Sequence, residues 1–114
     1  MTLQHVALET RRADGDAEVA WWGLLGFAEV EPPPTLRDRA RWVQRGPTQI
    51  HFLFTDDPVV APKGHVAVVC EDAERVVPTL GDDVEERQAH WGARRWYART
   101  PGGHRVEVMA APPA

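Results

Sequence analysis

A chain of 114 residues, 43% of them hydrophobic, is long enough to bury one core and too short for two, so residues 1–114 read as a single domain. Its net charge of −4, with both signs interspersed, lacks the concentrated basic face that nucleic acid requires. Apolar runs such as Ile50 to Phe54 and Val66 to Cys70 fall far short of the roughly 20 residues that span a bilayer, and the first residues lack the basic-then-apolar order of a signal peptide; the chain therefore reads as cytoplasmic, with no membrane partner.

In chain order, Leu3 to Glu9 reads as a strand, and Asp14 or Asp16 then caps a helix over about 17–25 that Gly26 ends. Phe27 to Glu31 follows, then the Pro32-Pro33-Pro34 stretch, which cannot lie inside a sheet. Strands come next near Arg39 to Arg45 and Gln49 to Phe54, with a turn at Gly46-Pro47. After the loop from Thr55 to Lys63 the order restarts. His65 to Cys70 reads as a strand, Asp72 opens a helix that Pro78 shortens or kinks, and strands are expected near Glu85 to Ala89, Arg95 to Arg99 and Arg105 to Met109. The only cysteine, Cys70, excludes an internal disulfide and in its apolar run reads as buried and inert. The arginines at 37, 39 and 41 and at 94 and 95 read as solvated, although a guanidinium turned into a pocket favours an anionic ligand.

The restart is a repeat. Gln4-His5-Val6-Ala7-Leu8 matches Gly64-His65-Val66-Ala67-Val68, and Gln49-Ile50-His51-Phe52 matches the pattern of Arg105-Val106-Glu107-Val108. His65 follows His5 by 60 positions and Glu107 follows His51 by 56, as two copies of one βαβββ module would give, one over about 1–57 and one over about 62–114. Strand parity then turns the repeat into a site. Val6, Leu8, Ile50, Phe52, Val66, Val68, Val106 and Val108 take the helix-packing faces, which puts His5, His51, His65 and Glu107 on the opposite faces. Three imidazoles and a carboxylate suit one divalent transition metal ion, Zn, Ni, Co, Fe or Mn, and do not suit calcium.

The element order, the Trp22-Gly23-Leu24-Leu25-Gly26-Phe27 segment and the closing run from Trp96 to Glu107 resemble the vicinal oxygen chelate superfamily, which includes glyoxalase I, bleomycin-binding proteins, fosfomycin resistance proteins and extradiol dioxygenases. The resemblance implies an α+β fold in which two paired βαβββ modules form a cupped mixed sheet with helices on the outer face. It also implies homodimers, and it puts His5, His51, His65 and Glu107 on the four metal positions. His51 departs from the Glu or Gln that glyoxalase I carries there. From parity and the family's layout, Trp42, Gln49, Arg95 and Tyr97 are the expected substrate contacts, Arg95 offering a charge for an anionic small molecule. Glu107 is the candidate catalytic base, with Glu9 a second at the end of its strand, while Trp21 and Trp22 read as core or interface and His90 and His104 as turn residues outside the site.

The implied function is a metal-dependent, glyoxalase-like lyase or isomerase acting on a small molecule with adjacent oxygens. A metal-free drug- or ligand-binding resistance protein and an iron-dependent dioxygenase are the alternatives. Fosfomycin-type thiol transfer fits less well, because Ala7 stands where those enzymes resemble one another in carrying a threonine.

Overall fold

The computed structural model describes all of residues 1–114. It divides into two compact units, Met1–Val60 and Ala61–Ala114. The first runs β1 (His5–Thr10), α1 (Gly15–Leu24), β2 (Ala28–Val30), β3 (Ala40–Arg45) and β4 (Thr48–Phe54). Its sheet has the order β1-β4-β3-β2, with β1 parallel to β4 and the other pairs antiparallel. A parallel pair needs a long crossover, and the stretch from α1 through β3 supplies it.

Helix α1 buries Glu18, Trp21 and Trp22, and Leu25 just past its end extends the same helical face. Val43, Ile50 and Phe52 of the sheet are buried as well, and Trp22, at 0% exposure, meets Phe27 edge-on with ring centroids 5.3 Å apart. The expected aspartate cap is not made. A 3-10 turn over Arg12–Asp14 leads into α1 and Asp14 already has right-handed helical backbone angles, so its carboxylate makes no capping hydrogen bond. Gly26 does end the helix, with φ of 88°, a left-handed conformation that a side chain opposes.

The second unit repeats the plan with β5 (Val66–Val69), α2 (Ala73–Val76), β6 (Glu85–Arg87), β7 (Arg95–Arg99) and β8 (Arg105–Met109), in the order β5-β8-β7-β6. Again the first and last strands are parallel and the rest antiparallel. Val106, Val108, Trp96 and Ala98 form its core with Ala73, Val77 and Leu80. Helix α2 is a single turn that passes into a 3-10 turn at Val77–Thr79, because Pro78 has no N–H to continue an α-helical ladder. Cys70 is buried and its thiol is free. Two open four-stranded mixed sheets with their helices make an α+β fold, and no helix is long and apolar enough to cross a membrane.

Candidate metal centre

Register shows how the two units correspond. In the first, Ala7 of β1 pairs with His51 of β4, and His5 lies two residues before Ala7 on the same face. In the second, Ala67 of β5 pairs with Glu107 of β8, and His65 lies two residues before Ala67. The equivalence extends to the next strand, where Trp42 pairs with His51 and Tyr97 with Glu107. Each unit thus sets one candidate ligand pair and one aromatic at matching lattice points of matching sheets.

In the first unit the rings stack. His51 lies between Trp42, at 3.9 Å and 3°, and His5, at 4.0 Å and 14°. A chain of amides fixes the tautomer of His51. The Gly46 carbonyl can only accept, so Gln44 turns its amide nitrogen to it at 2.9 Å, leaving Gln44 Oε1 to accept from Gln49 Nε2 at 2.8 Å. Gln49 Oε1 then faces His51 Nε2 at 2.8 Å, which must donate. Nδ1 is left with the lone pair. Burial, followed by the nearby His5, lowers the His51 pKa below its usual value, so the ring is neutral near pH 7, the form a metal requires.

In the second unit His65 Nδ1 donates to the Lys63 carbonyl at 2.9 Å, which puts the lone pair of a neutral ring on Nε2. That nitrogen faces Glu107 Oε1 at 3.2 Å, with the Tyr97 hydroxyl at 3.4 Å. The other carboxylate oxygen, Oε2, accepts from Arg95 Nη1 at 3.1 Å, in an ion pair whose side chains are only 10% and 8% exposed. Arg95 is anchored from behind, its Nε donating to the Gln88 carbonyl at 2.8 Å and its Nη1 to the Tyr97 hydroxyl at 3.3 Å. Tyr97 also lines a cavity of about 430 Å³ in this unit, with Arg105 lying over its ring at 3.7 Å.

All four expected substrate contacts therefore touch a candidate ligand: Trp42 and Gln49 touch His51, Arg95 touches Glu107, and Tyr97 touches His65. Among the clustered arginines only Arg95 turns inward. Arg37 pairs with Glu31, Arg41 with Glu29 and Asp16, and Arg94 with Glu74 and Glu86, at the surface. Glu9 accepts from the Val59 backbone N–H at 3.0 Å, a loop-fastening contact. His104 is buried at its turn, with its backbone N–H on Thr100 Oγ1.

The donor chemistry fits a divalent transition metal. His65 Nε2 and Glu107 Oε1 lie 3.2 Å apart, an imidazole and a carboxylate of the kinds that bind such ions, paired here with each other. The side chains as placed form no cluster of three or more such donors, and near-parallel rings cannot aim in-plane lone pairs at one ion. His51 is held between two rings, and His5 is exposed.

No family model and no curated relative matches the sequence. Solved structures do. A glyoxalase family protein from Bacillus anthracis superposes with a TM-score of 0.83 at 23% identity, covering 96% of this chain and 93% of its own. A bleomycin-binding protein in complex with bleomycin gives 0.65 at 18%, covering 98% and 99%. The fosfomycin resistance protein FosX of Listeria monocytogenes, in complex with Mn(II) and 1S,2S-dihydroxypropylphosphonic acid, gives 0.72 at 14%, covering 97% and 90%. This chain has the vicinal oxygen chelate fold. Over nearly its whole length the vicinal oxygen chelate fold accounts for the doubled βαβββ plan and the matched strand registers, while activity is a property of the site and not of the fold.

Proposed function

We propose that this chain is a metal-dependent enzyme of the glyoxalase type, a lyase or isomerase acting on a small molecule with two adjacent oxygens. His5, His51, His65 and Glu107 hold its one divalent transition metal ion, and the subunits pair as homodimers. The observation that carries this reading is the contact between His65 Nε2 and Glu107 Oε1, an imidazole and a carboxylate brought together at a register that the His5 and His51 pair repeats. FosX, of the same fold, is described with Mn(II) and a vicinal diol bearing a phosphonic acid, which supports a metal and an oxygen-rich ligand here.

When bound, the ion acts as a Lewis acid on the chelated oxygens and stabilises negative charge developing there. The chain's own residues prepare for this. The Gln44 and Gln49 amides hold His51 with Nδ1 free, and the Lys63 carbonyl holds His65 with Nε2 free. Trp42 and Tyr97 offer flat walls with polar edges. Glu107 is the carboxylate for proton transfer, with Arg95 donating to its Oε2.

A second reading, a ligand-binding protein without catalysis, draws on the stack of Trp42, His51 and His5, a surface on which a planar ligand could continue the series. Metal content of the purified protein, by mass spectrometry after saturation and desalting, separates the two. About one ion per chain is expected for the wild type, and a loss in His51→Ala and Glu107→Ala. A wild type that stays metal-free under saturation leaves the binding reading in possession.

A further inference from the structure

The second unit carries six arginines, and four of them have a carboxylate within ion-pairing distance: Arg75 with Asp72, Arg87 with Glu85, Arg94 with Glu74 and Glu86, and Arg95 with Glu107. The other two, Arg99 and Arg105, have none, and they are the two that line the cavity of about 430 Å³. Lys63, the chain's single lysine, lines it as well and also lacks a carboxylate partner. Neutral groups hold both guanidiniums. Arg99 donates from Nη1 to the Gly103 carbonyl and from Nη2 to the Pro62 carbonyl, each at 3.1 Å. Arg105 donates from Nη1 to the Lys63 carbonyl at 2.9 Å, and its guanidinium lies over the Tyr97 ring at 3.7 Å. Carbonyls and a ring face fix these cations in place without cancelling their charge.

Their placement is one that an anion completes. Arg99 and Arg105 are direct cross-strand partners on β7 and β8, and like charges in that relation repel at a cost in stability. Both heads nonetheless reach carbonyls of consecutive residues, Pro62 and Lys63, so the chain draws the two charges together. Of the two acids in the lining, Glu85 is matched by Arg87, which leaves Asp83 against three cations and an excess of two positive charges. We infer that this cavity binds a phosphate monoester, its dianionic phosphoryl group held by Arg99 and Arg105 with Lys63 beside them. One group with two charges suits cations that converge, and the planar forks of arginine suit phosphoryl oxygens. A dicarboxylate spreads its two charges apart, and the cavity has room for an organic remainder that free phosphate lacks. Every lining residue lies in the second unit and none is a candidate metal ligand, so the inference does not rest on the metal-dependent reading.

The test is calorimetric titration of glycerol 3-phosphate, inorganic phosphate and succinate at about pH 8, where the monoester is a dianion. The proteins are the chelator-treated wild type, Arg105→Gln, Lys63→Gln and Arg75→Gln. Saturable binding of glycerol 3-phosphate by the wild type is expected, tighter than that of the other two anions. Loss of a charge-assisted hydrogen bond weakens it about tenfold or more in Arg105→Gln, and loss of an exposed charge about two- to fivefold in Lys63→Gln. Arg75→Gln, which removes a surface charge paired with Asp72, leaves it unchanged. A wild type that does not bind glycerol 3-phosphate overturns the inference, and so does an equal loss in Arg75→Gln, which would report net charge and no site. Inorganic phosphate or succinate binding as tightly as the ester overturns the choice of a monoester. Lys63→Gln keeps the test valid if Arg105→Gln does not fold, because the Lys63 side chain is exposed and the bonds at this residue are made by its carbonyl.

Discussion

His51 is the most constrained of the candidate ligands, clamped between Trp42 and His5 and fixed in tautomer by Gln49. Its lowered pKa, caused first by burial and then by His5, ties the stability of the metal-free protein to pH. Folding disfavours the imidazolium, so the stability contributed by neutral His51 is complete above the ordinary value of 6.5 and is lost as pH falls through the lower folded value. The melting temperature of the chelator-treated protein therefore falls as pH drops below the ordinary value of 6.5, and His51→Phe, which keeps a ring in the stack, flattens that part of the profile. An unchanged pH dependence in the variant would show that other groups carry it. None of the amide relay behind this could be read in sequence: Gln49 was recognisable by parity as a neighbour of the site, but Gln44 acquires its role only because β3 pairs with β4 so that Gln44 meets Gln49.

Among the elements, α1 is the one the first unit depends on. Trp22 is fully buried, its indole N–H donates to Glu18 Oε2 at 3.1 Å, and Glu18 is itself buried one turn earlier. Trp22→Ala deletes the largest fully buried side chain of that core and is expected to destabilise the protein by about 3–5 kcal/mol, measured by urea unfolding. A loss below about 1 kcal/mol would mean that the neighbouring side chains collapse into the space. The short second helix, by contrast, is a local effect that sequence does disclose, since Pro78 removes a donor whatever surrounds it. The cap on α1 is the opposite case: an aspartate in the right place forms no cap because the preceding 3-10 turn already sets the backbone.

For the molecule as a whole, the proposed metal centre would link metal binding to folding, because an ion that binds the native chain and not the unfolded one stabilises it by mass action. At about 100 times the dissociation constant the gain is about 2.7 kcal/mol. Saturating Zn(II) or Mn(II) should accordingly raise the melting temperature by several degrees, a chelator should reverse the rise, and Glu107→Ala should abolish it. A wild-type melting temperature indifferent to metal would count against a four-ligand centre. The sequence by itself determined the doubled βαβββ plan, the strands, the helix ended by Gly26 and the faces carrying His5, His51, His65 and Glu107, because periodicity, turn residues and an internal repeat are local patterns. Only the tertiary structure decided that Arg95, of all the clustered arginines, turns inward onto Glu107, that His5 and His51 stack, and which imidazole nitrogens keep their lone pairs. Those depend on which strands lie side by side and at what register, and register is set by the packing of the whole sheet rather than by any one segment of chain.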